Sequence, residues 1–161
     1  MLPSGSYVAL VTPMDSEQNI EWDVLHQLID WHLASHTDGL VISGTTGEGF
    51  SLTARERARL IEETVQHVAG RIPVIVGAGS NSTTATCEKI QEVSVLGADA
   101  CMLVVPYYNK PTQEGIYQHF KAINAVADLP ILVYNVPART VVDIEQDTML
   151  KIADLSNVVG L

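Results

Sequence analysis

The sequence is poor in basic residues, aromatics, cysteine and long apolar runs, and each shortage removes a class of function. Nine Lys and Arg stand against 19 Asp and Glu, a formal net charge of −10. Phosphate backbones are bound by Lys and Arg, so this balance argues against nucleic acid as a partner. It argues equally against an anionic membrane surface. No apolar run approaches the length of a transmembrane helix. The opening stretch, MLPSGSYVALVTPM, has neither the basic n-region nor the apolar h-region of a secretory signal. The two cysteines, Cys87 and Cys101, follow neither a metal-type spacing nor a disulfide framework. Cys101 lies inside an apolar run and reads as a small buried hydrophobe. Together these features predict a reducing, cytoplasmic setting.

What the sequence does have is aliphatic bulk. Apolar residues make up 47% of the 161 positions while aromatics are only 6%, a balance that suits parallel strands buried on both faces. Short apolar runs recur at Tyr7–Val11, Gly39–Ile42, Pro73–Val76, Cys101–Val105, Pro130–Tyr134 and Val158–Leu161. Their spacing is roughly 30 residues, the length of one βα step. Between them lie helix patterns. Val24, Leu25, Leu28, Ile29 and His32 share a 3.6-period face. Thr53 and Glu56 form a capping box, with Gly70 as the expected stop. Ser82 and Thr112 read as caps of the next two helices. Asp143 and Gln146 are expected to begin a fifth. No linker or low-complexity stretch interrupts residues 1–161, which predicts a single domain. Strict alternation predicts a parallel sheet with right-handed crossovers. An open doubly wound sheet fits the length better than a barrel, because a complete (β/α)₈ barrel needs about 250 residues.

The strand-end turns are where an α/β protein carries its chemistry. The turn Gly44-Thr45-Thr46-Gly47-Glu48-Gly49 is small and hydroxyl-rich. Its glycines would let the backbone approach a carboxylate or phosphate, or would simply make a tight turn. No Gly-Lys-Ser/Thr follows, so it is not a P-loop. Gly77-Ala78-Gly79-Ser80-Asn81-Ser82 half-matches a dinucleotide fingerprint. Its third glycine is replaced by Ser82, and no acid ends the following strand. Tyr107, Tyr108 and Tyr134 stand at successive strand ends, where phenols can relay protons through a hydroxyl such as Thr45. Single tyrosines there are equally at home as packing residues. Arg139 is the only arginine in any of these turns; it suits bidentate carboxylate capture, or is simply a surface arginine. The five histidines all fall in helix patterns, and no metal or organic cofactor is expected.

These turns, in this order, resemble the dihydrodipicolinate synthase branch of the pyruvate-dependent class I aldolases. The stretches that carry the resemblance are VALVTPM, SGTTGEGFSLT, GRIPVIVGAGSNST, VVPYYNKPTQEGIYQHF and YNVPARTVVDI. The resemblance covers nearly the whole chain. It implies the N-terminal part of a (β/α)₈ barrel, about five βα units plus strand six, and so reverses the argument from length.

It also implies a reaction. A lysine at the end of the sixth strand would condense with pyruvate, and the enamine would attack L-aspartate-4-semialdehyde. Tyr134 would exchange protons beside the Schiff base. Thr45 would connect it to Tyr108, reaching across from a neighbouring subunit of a homodimer or homotetramer, with Tyr107 also at that interface. Thr45 and Thr46 would hold the pyruvate carboxylate and Arg139 that of the semialdehyde. Family members inhibited by lysine carry histidines and a glutamate where this chain has Ala54, Arg57 and Ala85, which implies weak feedback inhibition. The sequence ends Val158-Val159-Gly160-Leu161, one position before the expected lysine. Lys89, Lys121 and Lys151 lie in helix patterns and Lys110 in the tyrosine loop. The nucleophile is therefore expected at position 162 of a longer protein, with the domain incomplete at its C-terminus as written. Sialic-acid and keto-deoxy-sugar lyases are the nearest alternatives. A carboxylate-binding module without catalysis is another, and a nucleotide-binding open sheet a third.

Overall fold

Each of the six apolar runs forms a strand, and a helix follows each of the first five. The computed structural model describes residues 4–161, so the first three residues of the expected 1–161 domain lie outside it. The elements run β1 (Tyr7–Ala9), α1 (Trp22–Ala34), β2 (Gly39–Ile42), α2 (Ala54–Val68), β3 (Val74–Gly77), α3 (Thr83–Val95), β4 (Ala100–Val104), α4 (Gln113–Asn124), β5 (Ile131–Tyr134), α5 (Pro137–Thr140), α6 (Gln146–Ala153) and β6 (Val158–Gly160). No helix among the described residues is long and apolar enough to cross a membrane. The described residues divide into two compact units. One runs to Gly77 and includes Val95–Asp99; the other comprises Ala78–Ser94 and Ala100–Leu161.

In the first unit β1, β2 and β3 pair in parallel, with Val8 level with Leu40 and Val41 with Ile75. All four residues of β2 are buried, as expected for a parallel strand covered on both faces. Leu25 and Ile29 of α1 and Leu60, Ile61 and Val68 of α2 complete this core. The capping box is present: Thr53 Oγ1 accepts from the Glu56 amide, and the Glu56 carboxylate accepts from the Thr53 amide at 2.8 Å. Gly70 does not itself cap α2. Ala69 takes the left-handed cap at φ 51° and Gly70 follows at φ 70°. Asp99 and Asp38 anchor strand starts by accepting the amides of Val74 and Ser6.

In the second unit β4, β5 and β6 are parallel, with Val104 level with Tyr134. Ile116, Phe120 and Ile123 lie on one face of α4 and are fully buried, alongside Ile90 and Val93 of α3. Thr112 caps α4 by accepting the Gly115 amide at 3.1 Å. The expected start of the last helix is displaced. Glu145 precedes α6 without a side-chain cap, and Asp143 instead accepts from Asn135. Cys101 is buried, and burial pushes its thiol up to about 12.

His119 sits in this core with Nδ1 2.9 Å from Thr83 Oγ1, linking α4 to α3. Its buried Nε2 has no hydrogen-bond partner among the described residues. Nδ1–H donating to the threonine leaves only a lone pair unsatisfied, the less costly tautomer. Burial pushes the imidazole down from 6.5 to about 4. The fold therefore holds the neutral ring, while the unfolded chain takes up a proton below pH 6.5. This contribution is complete above pH 6.5 and is lost as the pH falls towards 4, on the order of 2–3 kcal/mol. Urea denaturation at pH 7.5 and pH 4.5 should show that loss, and His119→Asn should show a smaller one. An equal pH dependence in both proteins would refute this assignment.

Candidate active site at the strand ends

In the first unit the site residues are carried by the turn after β2. Ser43 enters it at φ 53° and Glu48 leaves at φ 53°. The turn is closed by the Gly49 amide donating to Gly44 O at 3.1 Å and the Glu48 amide to Thr45 O at 3.2 Å. Thr12, after β1, donates its hydroxyl to Gly47 O at 2.7 Å. A Cβ on Gly47 would stand 2.8 Å from Leu10 O, and one on either Gly49 or Gly77 would overlap the Ser43 carbonyl. The glycines at 47 and 49 therefore admit neighbouring backbone, as the tight-turn reading of this segment expects. Thr45 is half-buried and Thr46 exposed.

In the second unit Gly79 serves a similar packing purpose: a Cβ there would lie 2.7 Å from the Val104 amide. Ser80 donates its amide to Thr86 Oγ1 at 3.1 Å. This segment is thus a tight βα turn. Beyond β4, Val105 and Pro106 are buried, Tyr107 is half-buried and Tyr108 is 88% exposed. Tyr108 and Lys110 both have left-handed backbones, at φ 70° and 47°. Asn109 between them donates its side-chain amide to Asn81 O at 2.7 Å, tying the tyrosine loop to the turn before α3.

Tyr134 is the last residue of β5 and is half-buried. Arg139 is exposed on α5, a single helical turn absent from the sequence reading. Its one signal was Pro137, a residue suited to a first helical position. The second unit thus brings Tyr107, Tyr108, Tyr134 and Arg139 to the C-terminal ends of two paired strands, while Thr45 and Thr46 follow β2 of the first unit. Lys89, Lys121 and Lys151 fall in α3, α4 and α6, and Lys110 in the tyrosine loop. Sequence reasoning missed Gln113 and Asn135, which brace the Arg139 loop through hydrogen bonds to residues 143–145.

The fold is that of the N-terminal part of a (β/α)₈ barrel with its polar groups at the C-terminal strand ends, the arrangement of a barrel enzyme. Residues 2–161 match the dihydrodipicolinate synthetase family, and the chain belongs to it. It is 51% identical over 157 residues to 4-hydroxy-tetrahydrodipicolinate synthase of Neisseria gonorrhoeae, covering 98% of this chain and 54% of that protein. The enzyme of that name from Coxiella burnetii is likewise 51% identical over 158 residues, with 98% and 55% covered. Among solved structures, the chloride-inhibited dihydrodipicolinate synthase of Acinetobacter baumannii complexed with pyruvate superposes with a TM-score of 0.95. Identity is 47%, over 97% of this chain and 54% of that one. The chain spans about half the length of the curated relatives it matches.

Proposed function

We propose that the protein is a cytoplasmic lyase of lysine biosynthesis. It condenses pyruvate with L-aspartate-4-semialdehyde through a lysine Schiff base to give 4-hydroxy-tetrahydrodipicolinate. The amine attacks the pyruvate C2 carbonyl and water leaves. A methyl proton is then lost, and the enamine carbon bonds to the aldehyde carbon, whose oxygen takes up a proton; the semialdehyde's own amine then attacks the imine carbon, closing the ring and expelling the lysine amine. Each step moves a proton, which is the role of Tyr134 relayed through Thr45 to Tyr108. Thr45 and Thr46 hold the pyruvate carboxylate and Arg139 the semialdehyde carboxylate. No metal or organic cofactor takes part. The working form is a homodimer or homotetramer, in which Tyr108, 88% exposed in the isolated chain, enters a neighbouring subunit together with Tyr107.

The observation that carries this reading is the placement of Tyr134 and Arg139 at the C-terminal end of β5, in a chain whose residues 2–161 match the dihydrodipicolinate synthetase family. Treating the native protein with pyruvate and borohydride should leave a covalent pyruvate adduct on one lysine, located by peptide mass spectrometry. A coupled assay should favour aspartate semialdehyde over sialic-acid or keto-deoxy-sugar substrates. An unlabelled protein would refute the Schiff base, and turnover of sugar acids alone would reassign the substrate.

A further inference from the structure

The segment between β5 and α6 is an arch with Arg139 near its crown and its two feet joined by side-chain amides. Asn135, the first residue after β5, uses both ends of its amide. Nδ2 donates to Asp143 Oδ1 at 2.7 Å, and Oδ1 accepts from the Ile144 amide at 3.4 Å. Gln113, the first residue of α4, does the same from outside the arch. Its Nε2 donates to Asp143 O at 2.8 Å, and its Oε1 accepts from the Glu145 amide at 3.1 Å. Within the arch the buried Thr140 hydroxyl lies 3.1 Å from Val136 O and 2.9 Å from Val142 O. Ile144 is buried and pins the far foot into the core. Val141 meanwhile holds a left-handed backbone at φ 63°. A β-branched residue keeps that conformation only where its surroundings over-determine it.

We propose that Asn135, Asp143 and Gln113 are positioning residues that hold Arg139 at a fixed height above the end of β5. The clasp thereby sets selectivity for the carboxylate-bearing aldehyde. The inference rests on the assignment of Arg139 above but goes beyond it. A guanidinium grips a carboxylate through two parallel hydrogen bonds only when its plane is held in line. Arg139 itself is exposed on a four-residue helix, so its backbone position must come from the arch. Misplacement by about 1 Å is enough to cost 100-fold in a reaction step. The proposed holders of the pyruvate carboxylate, Thr45 and Thr46, lie on a different loop, the one after β2. A failing clasp therefore weakens one substrate and spares the other.

The test uses Asn135→Ala, Asp143→Ala and Gln113→Ala in the native protein, with Asp143→Asn as the conservative variant, since an amide oxygen can still accept from Asn135. The alanine variants should raise KM for aspartate semialdehyde by about 10- to 100-fold. KM for pyruvate and borohydride trapping should stay within about twofold of wild type by the same argument. Hydrogen–deuterium exchange should quicken at residues 136–142 and nowhere else. Asp143→Asn should behave as wild type. An unchanged KM for the semialdehyde overturns the proposal, as does an equal rise in both KM values with faster exchange throughout. Should the wild-type protein condense neither substrate, the functional reading falls on its own. The clasp is then decided by exchange alone: faster exchange confined to 136–142 in Asn135→Ala supports it, and no change overturns it.

Discussion

Gly49→Ala is expected to destabilise the protein by about 3 kcal/mol, the upper range for forcing a methyl group into a filled space. The added Cβ would overlap the Ser43 carbonyl, which is backbone and cannot rotate aside. Gly49 is not among the positive-φ residues, so the penalty is steric. Gly70→Ala gives the contrast. Nothing lies within 4 Å of a Cβ there, but φ is 70°, and the left-handed backbone alone costs about 1 kcal/mol. Urea denaturation midpoints of the two variants should differ accordingly. Equal midpoints would mean that the turn relaxes freely around position 49, and the packed-turn description would be wrong.

Tyr134→Phe is expected to lower kcat by about 10²–10³-fold, the range for removing a positioned proton-transfer group. The ring that fills the half-buried place at the end of β5 remains, so the fold and KM for pyruvate should change little. Steady-state kinetics with aspartate semialdehyde supply the first measure. The rate at which borohydride captures the pyruvate adduct supplies the second, because imine formation needs the same protons. A phenylalanine variant that keeps more than about a tenth of kcat removes Tyr134 from the mechanism.

Much of the fold was legible because local and tertiary preferences agree. The aliphatic runs have no stable alternative to burial, and they became β1 to β6 with bounds shifted by at most two residues. Thr53 and Thr112 cap the helices that their spacing predicted, because a cap is satisfied within a few residues of itself. The failures lie where a side chain had a choice of distant partners. Asp143 has the chemistry of a cap but is taken by Asn135, eight residues earlier. Helix α5 is too short for any periodicity to announce it. The glycines at 47 and 49 were legible as places of close approach, but the approaching group is backbone of neighbouring segments, and only the assembled strands reveal that. Within the site, Arg139 and the tyrosines stood out as unusual residues for strand-end turns. What they act on could not be read from residue types. It came from the resemblance alone.

The wedge formed by the Ser43 carbonyl bears on attempts to transplant this turn. Gly49 and Gly77 both close on that carbonyl, and Thr12 binds Gly47 O from the end of β1. The seven residues from Ser43 to Gly49 are therefore not a portable module. A scaffold that receives them must also supply a glycine at the end of the following strand and a hydroxyl after the preceding one. The smallest unit that can be grafted intact is three consecutive strand ends.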